Sequence, residues 1–148
     1  MIQAVYVISR TGVPIYFLEK ESSKDDVTKV TLFSGVISAI RAALIETDRG
    51  EANYLTTQTH EIYLENTDSF AIAFVKDMND EYDNKTMNHM ISELITLITF
   101  QFTELPEVGI LSLEEEQLME KIITTLLEKW EERMKESEAS KKMKESLW

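Results

Sequence analysis

Apolar residues open the chain in two short runs, residues 2–8 and 13–18, both dominated by β-branched and aromatic side chains that favour strands. Between them Ser9-Arg10-Thr11-Gly12 has turn chemistry, so the pair predicts a hairpin. Residues 19–26 are polar and include Ser22, Ser23 and Asp25, a loop able to cap a helix. From Val27 to about Thr47 the spacing changes: Val30, Phe33, Ile37, Ile40 and Leu44 recur at three or four residues, the helical period. Asp48-Arg49-Gly50-Glu51 follows, with glycine as the expected closing residue. Three further strands are expected at 53–59, 61–65 and 70–75, reversing at His60 and at Asn66-Thr67-Asp68-Ser69. Residues 76–83 read as an acidic loop. Met87, Met90, Leu94, Leu97 or Ile98, and Gln101 or Phe102 mark a second helix, which Pro106 and Gly109 break. Ser112 and Glu115 form a capping box that starts a third helix at Leu113. Its apolar face is Met119, Ile122, Ile123, Leu126, Trp130 and Met134.

The order ββαβββαα restricts the architecture. Val5-Tyr6-Val7-Ile8, Ile15-Tyr16-Phe17-Leu18 and Phe70-Ala71-Ile72-Ala73-Phe74-Val75 are apolar without alternation, so both faces of the sheet need cover. Pro14 lacks an amide donor and places the second strand at an edge. Tyr54-Leu55-Thr56-Thr57-Gln58-Thr59 is the most polar strand and suits the other edge. Short links join the remaining neighbours. The expectation is an α+β fold: a five-stranded antiparallel sheet of order 2-1-5-4-3 in a three-layer α/β/α sandwich. The first helix lies on one face and the last two on the other. Gly35, Ala39 and Ala43 recur at i, i+4 and i+8 on the first helix. Such a line seats a helix close to a sheet or close to a second chain, and the sheet is the expected use.

A length of 148 residues suits one domain, placed at residues 1–134. Residues 135–148 are mostly lysine, glutamate and serine, and pairs such as Glu131–Lys135 and Glu138–Lys142 suit either a charged helical extension or a disordered tail. Met143, Leu147 and Trp148 are isolated apolar residues there. The formal net charge of -12 repels phosphate backbones, which argues against nucleic acid as a partner. With 0 cysteines a thiolate zinc site, a disulfide framework and a cysteine nucleophile are all excluded. No uninterrupted apolar run approaches a membrane span, and no basic segment precedes the first apolar stretch, so a cytoplasmic location is expected.

The element order, the Leu32-Phe33-Ser34-Gly35-Val36-Ile37-Ser38-Ala39-Ile40 helix and the strand at 70–75 resemble a longin domain over residues 1–134. The resemblance implies a non-enzymatic adaptor of the longin/roadblock superfamily, with profilin-like architecture. Relatives of that kind serve vesicle trafficking and bind or regulate small Ras-like GTPases. It also implies pairing, as a homodimer or with a longin- or roadblock-like protein, through the third strand and first helix. The interface expected on that basis comprises Gly35, Ala39, Ala43, Tyr54, Thr56 and Gln58. Partners of this kind would bring a cytoplasmic protein to the cytosolic face of membranes without a span of its own. The alternative function is a small-molecule sensor of PAS or profilin-like architecture, which needs an internal pocket.

Motifs for chemistry fail one by one. The glycines at 12, 35, 50 and 109 cannot form a phosphate loop. His60-Glu61 begins like a zinc-protease motif, but Leu64 stands where the second histidine belongs, and His89 is the only other histidine. Asp77, Asn79, Glu81 and Asp83 alternate like calcium-loop ligands, yet Tyr82 replaces the essential glycine and Asn88 the closing glutamate. Glu114-Glu115-Glu116 fits a helix N-terminus, where negative charge is favourable. No catalytic residue, metal ligand or cofactor site is therefore assigned.

Overall fold

In a computed structural model the described residues are 2–20, 27–78, 81–102, 104–106 and 111–146. The expectations for Ser22, Ser23, Asp25, Asn79, Gly109, Leu147 and Trp148 fall outside them. The elements run β1 (Ile2–Ser9), β2 (Pro14–Glu19), α1 (Val27–Glu46), β3 (Tyr54–Thr56), β4 (His60–Asn66), β5 (Phe70–Asp77), α2 (Asn84–Gln101) and α3 (Leu113–Ser146). One sheet of order β2-β1-β5-β4-β3 contains all five strands, with antiparallel neighbours throughout. The expected α+β architecture is the observed one.

The sheet centre is the β1–β5 pair, with Val5 opposite Phe74 and Val7 opposite Ile72. Alternation sends Val5, Val7, Ile72 and Phe74 into the core under α2 and α3, with Met87, Met90, Leu94, Met119 and Ile123. Ala4, Tyr6, Ile8, Ala71 and Ala73 face the other way, into the core beneath α1 with Val30 and Ile37. The two faces differ in size. Large side chains meet the two-helix layer, and a floor of alanines lies beneath the single helix, where Phe33 stacks on Tyr6 at 4.5 Å. The small side chains that seat α1 thus belong to the strands. Gly35, Ala39 and Ala43 are exposed, which overturns their expected role against the sheet.

Several boundaries move for local reasons. Gly50 does not close α1. Asp48 takes the left-handed conformation at φ 59, with Asp48 N–H donating to Ile45 O at 3.1 Å and Arg49 N–H to Leu44 O at 2.8 Å. That pair of bonds is a Schellman closure with aspartate in the glycine position. Gly50 follows at φ 87, turning the chain toward β3. β3 is three residues long instead of seven, because Thr57 N–H and Thr57 Oγ1 both engage the His60 backbone and start the reversal early. The capping box forms as expected: Glu115 N–H donates to Ser112 Oγ at 3.2 Å and Ser112 N–H to Glu115 Oε1 at 3.0 Å. These bonds hold the Glu115 carboxyl below its ordinary range.

Beyond their shared core, one carboxylate links α3 to α2. Glu93 accepts from Trp130 Nε1 at 3.0 Å and pairs with Lys129, while the Arg133 guanidinium lies 4.9 Å over the Trp130 ring. Burial would raise the Glu93 carboxyl, but the hydrogen bonds from Lys129 and Trp130 and the nearby Lys129 and Arg133 charges outweigh it and hold it low. Beyond Met134, which still touches the core, every α3 residue to Ser146 is exposed. The described part of the tail is therefore the helical extension.

Two predictions follow from this packing. Residues 135–146 are exposed, so deleting residues 135–148 should shift thermal melting by only a few degrees, about 1 kcal/mol or less; a larger drop would place part of the tail against the body. Glu93→Gln should destabilise the protein by on the order of 1 kcal/mol at neutral pH. A carboxyl held low when folded contributes fully above its unfolded pKa, about 4.3, and the contribution disappears as pH falls through the lower folded value. Denaturation curves of the two proteins should therefore converge below about pH 4; a constant gap would show that its charge is not what counts.

Candidate partner interface

α1 carries apolar residues on all sides. A helix of that kind is ordinarily enclosed. Thr28–Glu46 is long and apolar enough, by length and average composition, to cross a membrane, although its serines, threonines and Arg41 interrupt any continuous run. In this fold it lies on the sheet, with Val30 and Ile37 in the core, and only 17% of the stretch is buried. The outer face carries Leu32 at 68% exposure, Val36 at 47%, and Ala39 and Ala43, spaced by four, three and four residues along one stripe. Gly35 joins the stripe, and a Cβ built on it would meet nothing within 4 Å. Sequence reasoning found the small residues and missed Leu32 and Val36. Their own helical period was legible, but the stripe through Val30, Phe33 and Ile37 claimed the helix first.

The expected strand residues lie elsewhere. Tyr54 pairs with Tyr63 and Thr56 with Glu61, so these side chains share the α2 side of the sheet, opposite α1. Gln58 sits past the end of β3, in the turn. The structure therefore gathers Gly35, Ala39 and Ala43 on one surface and does not bring Tyr54, Thr56 and Gln58 to it. What β3 offers outward is backbone. Leu64 N–H donates to Asn53 O and Thr57 N–H to His60 O, so ladder alternation turns the amides of Tyr54 and Thr56 away from β4. At three residues the strand is also short, which is itself a common edge protection.

Behind this edge lies a polar cluster. Lys76, 2% exposed on β5, places Nζ 2.5 Å from Glu61 Oε2, and the Tyr54 hydroxyl donates to Glu61 Oε1 at 2.6 Å. The Tyr54 and Tyr63 rings meet edge-on at 5.0 Å, and the Tyr63 hydroxyl donates to Asn84 Oδ1. Burial, then the charges of Glu61, Tyr54 and Asp83, push the Tyr63 phenol up to about 12. A hollow of about 520 Å³ is lined by Glu61, Tyr63, Lys76, Tyr82, Asp83, Asn84 and Lys85. Several groups in and beside it are already engaged. Both Glu61 oxygens are taken, Asp83 Oδ1 caps α2 by accepting from Thr86 N–H at 2.8 Å, and His60 Nε2 lies 3.3 Å from Asp77 Oδ1. Of the residues considered for chemistry, Glu61 thus serves in an ion pair and Asp83 and Glu115 as helix caps.

No protein-family model matches the chain, and no curated protein matches it in sequence. The likeness is one of structure. A chain of a homology model of the full-length AP-3 complex in a stretched open conformation aligns with a TM-score of 0.62 at 16% identity, over 86% of this chain and 80% of that one. Myxococcus xanthus MglB aligns at 0.51 and 12% identity, over 68% and 85%. A Roadblock/LC7 domain from Streptomyces avermitilis aligns at 0.51 and 14% identity, over 68% and 84%. The chain has the longin/roadblock fold.

Lys76→Met should leave the enclosed Glu61 without its cation and lower stability by about 3 kcal/mol, read by chemical denaturation. Adding Glu61→Leu should restore most of the loss, because a paired charge is replaced by packing. If the single variant is as stable as wild type, the pair is effectively solvated.

Proposed function

We propose that this protein is a non-enzymatic longin-like adaptor that associates through α1, forming a homodimer or pairing with a longin- or roadblock-like partner. The joined surface is read as a platform for a small Ras-like GTPase or a vesicle-trafficking partner, in the cytoplasm or at the cytosolic face of a membrane. The observation that carries this reading is the exposed stripe of Leu32, Gly35, Val36, Ala39 and Ala43. Its small residues allow close approach of a second helix, and its two large apolar residues supply burial of about 1.5–3 kcal/mol each when fully covered. The outward amides of Tyr54 and Thr56 add a place where a partner strand extends the sheet. The α1 stripe ranks above β3, because the edge is short and its side chains point to the other layer. The sensor alternative has less support: Phe74, Met87, Met90, Leu94, Met119 and Ile123 fill the space between the sheet and the two-helix layer.

Native mass spectrometry and sedimentation, on the purified chain and after incubation with cell extract, test the reading. A dimer or a defined heteromeric mass is expected. Leu32→Glu and Val36→Glu should each weaken association by at least about tenfold, or 1.4 kcal/mol, while the single chain stays folded, since both positions are exposed in it. Thr56→Pro removes an outward donor and should weaken it less; Thr57 is the wrong position for that substitution, because its amide is bonded within the hairpin. A wild-type chain that remains monomeric at high concentration and in extract rules the proposal out.

A further inference from the structure

The opposite margin of the sheet has a different character. A groove of about 470 Å³ opens where the start of β1 and the end of β2 pass beneath α3. Its apolar lining includes Ile2, Val5, Leu18 and Leu127; Glu128 and Glu131 stand on its helical rim, and Lys20 lies on the strand side, so the lining as a whole is net acidic. Neither glutamate has a partner among the described residues. Glu19, also at the groove, is engaged by the Tyr6 hydroxyl. Further along the same helix Glu116 and Glu120 act on Tyr16 of β2; burial first, then these two charges, push its phenol up to about 12. Acidic side chains thus accompany β2 for much of its length.

β2 is also an edge strand. Lys20 N–H donates inward to Gln3 O at 3.0 Å, and Ala4 pairs with Glu19, so alternation turns the amides of Phe17 and Glu19 outward. An apolar recess, an acidic rim and strand amides with no partner among the described residues occur together at this margin. The volume falls within the roughly 300–1,000 Å³ of ordinary binding sites and is ample for one or two large apolar side chains.

We infer that the β2–α3 groove docks a short extended segment of a partner protein, with an apolar anchor residue flanked by lysine or arginine. The anchor enters the recess between Leu18 and Leu127, the flanking cations meet Glu128 and Glu131, and the segment's backbone pairs with the outer edge of β2, the strand-addition mode of peptide recognition. Charge selects the occupant. The chain carries a net charge of -12, and an acidic segment would be repelled from this rim. The inference does not depend on the α1 interface, which lies on the other face of the sheet.

The probe is a short capped peptide alternating lysine and valine, titrated into the full chain and followed by backbone amide NMR. Shifts should centre on Leu18, Lys20, Thr124 and Leu127. A glutamate–valine peptide and a lysine–serine peptide should each bind at least about tenfold more weakly. The double variant Glu128→Lys and Glu131→Lys should lose about tenfold in affinity, whereas Glu136→Lys with Glu138→Lys, an equal change of charge on the exposed part of α3, should stay within about threefold. Equal binding of the lysine–serine peptide, equal losses in the two variants, or shifts centred on α1 and β3 would overturn the inference. So would a wild-type oligomer that the Glu128 and Glu131 changes dissociate, since the occupant would then be a second copy of this chain.

Discussion

The pairing of β1 with β5 is the constraint on which the rest of the molecule depends. These strands are far apart in sequence, and their union turns two hairpin units into a single sheet. It buries an unbroken block from Ala4 to Ser9 against another from Phe70 to Phe74. Neither block has a polar side to offer water, so helices must lie on both faces. α1 then covers one face alone, and α2 and α3 share the other. The sizes of the side chains follow that division. On β5, Phe70, Ile72 and Phe74 fill the wider space, and Ala71 and Ala73 line the narrower one.

Division of the cover leaves α1 with a surplus. One helix on a flat alanine floor can bury only one stripe, yet this sequence is apolar around the whole circumference. α2 shows the contrast: opposite its buried Met87, Met90, Leu94 and Ile98 it presents Asn88, His89, Ser92 and Thr96, with only Phe100 breaking the polar face. Two helices of one domain thus meet solvent differently. The difference is local and chemical, independent of any likeness to other proteins.

Much of the fold was legible in the sequence because the signals were redundant. Pro14, the polar third strand and the continuous apolar runs each constrained the strand order separately, and the order was right. Ser112 and Glu115 marked the start of α3 because a capping box depends on nearest neighbours alone. Errors arose where a side chain competes for backbone. Aspartate took the left-handed position that glycine was expected to hold, and Thr57 shortened β3. The site was legible in part. A helical period shows which residues share a stripe, but which stripe meets the sheet depends on the alanines of β5, distant in sequence. The strand residues were misplaced for a related reason: Tyr54 and Thr56 alternate onto the opposite face from the helix they were grouped with.

The enclosed Lys76–Glu61 pair bears on how faithfully the chain finds its alignment during folding. The central contacts between β4 and β5, Ile62 with Val75, Tyr63 with Phe74 and Leu64 with Ala73, are apolar and would tolerate a displaced partner with modest loss. A slip of one residue moves every β4 side chain to the other face. Glu61 would then point toward α1, and Lys76 would remain in the interior with no counter-charge. The penalty for such an unmatched ammonium is several kcal/mol, comparable to much of a domain's net stability. One ion pair near the end of the ladder thereby favours the native register of the whole ladder, because a misaligned hairpin incurs this penalty once the helices cover it.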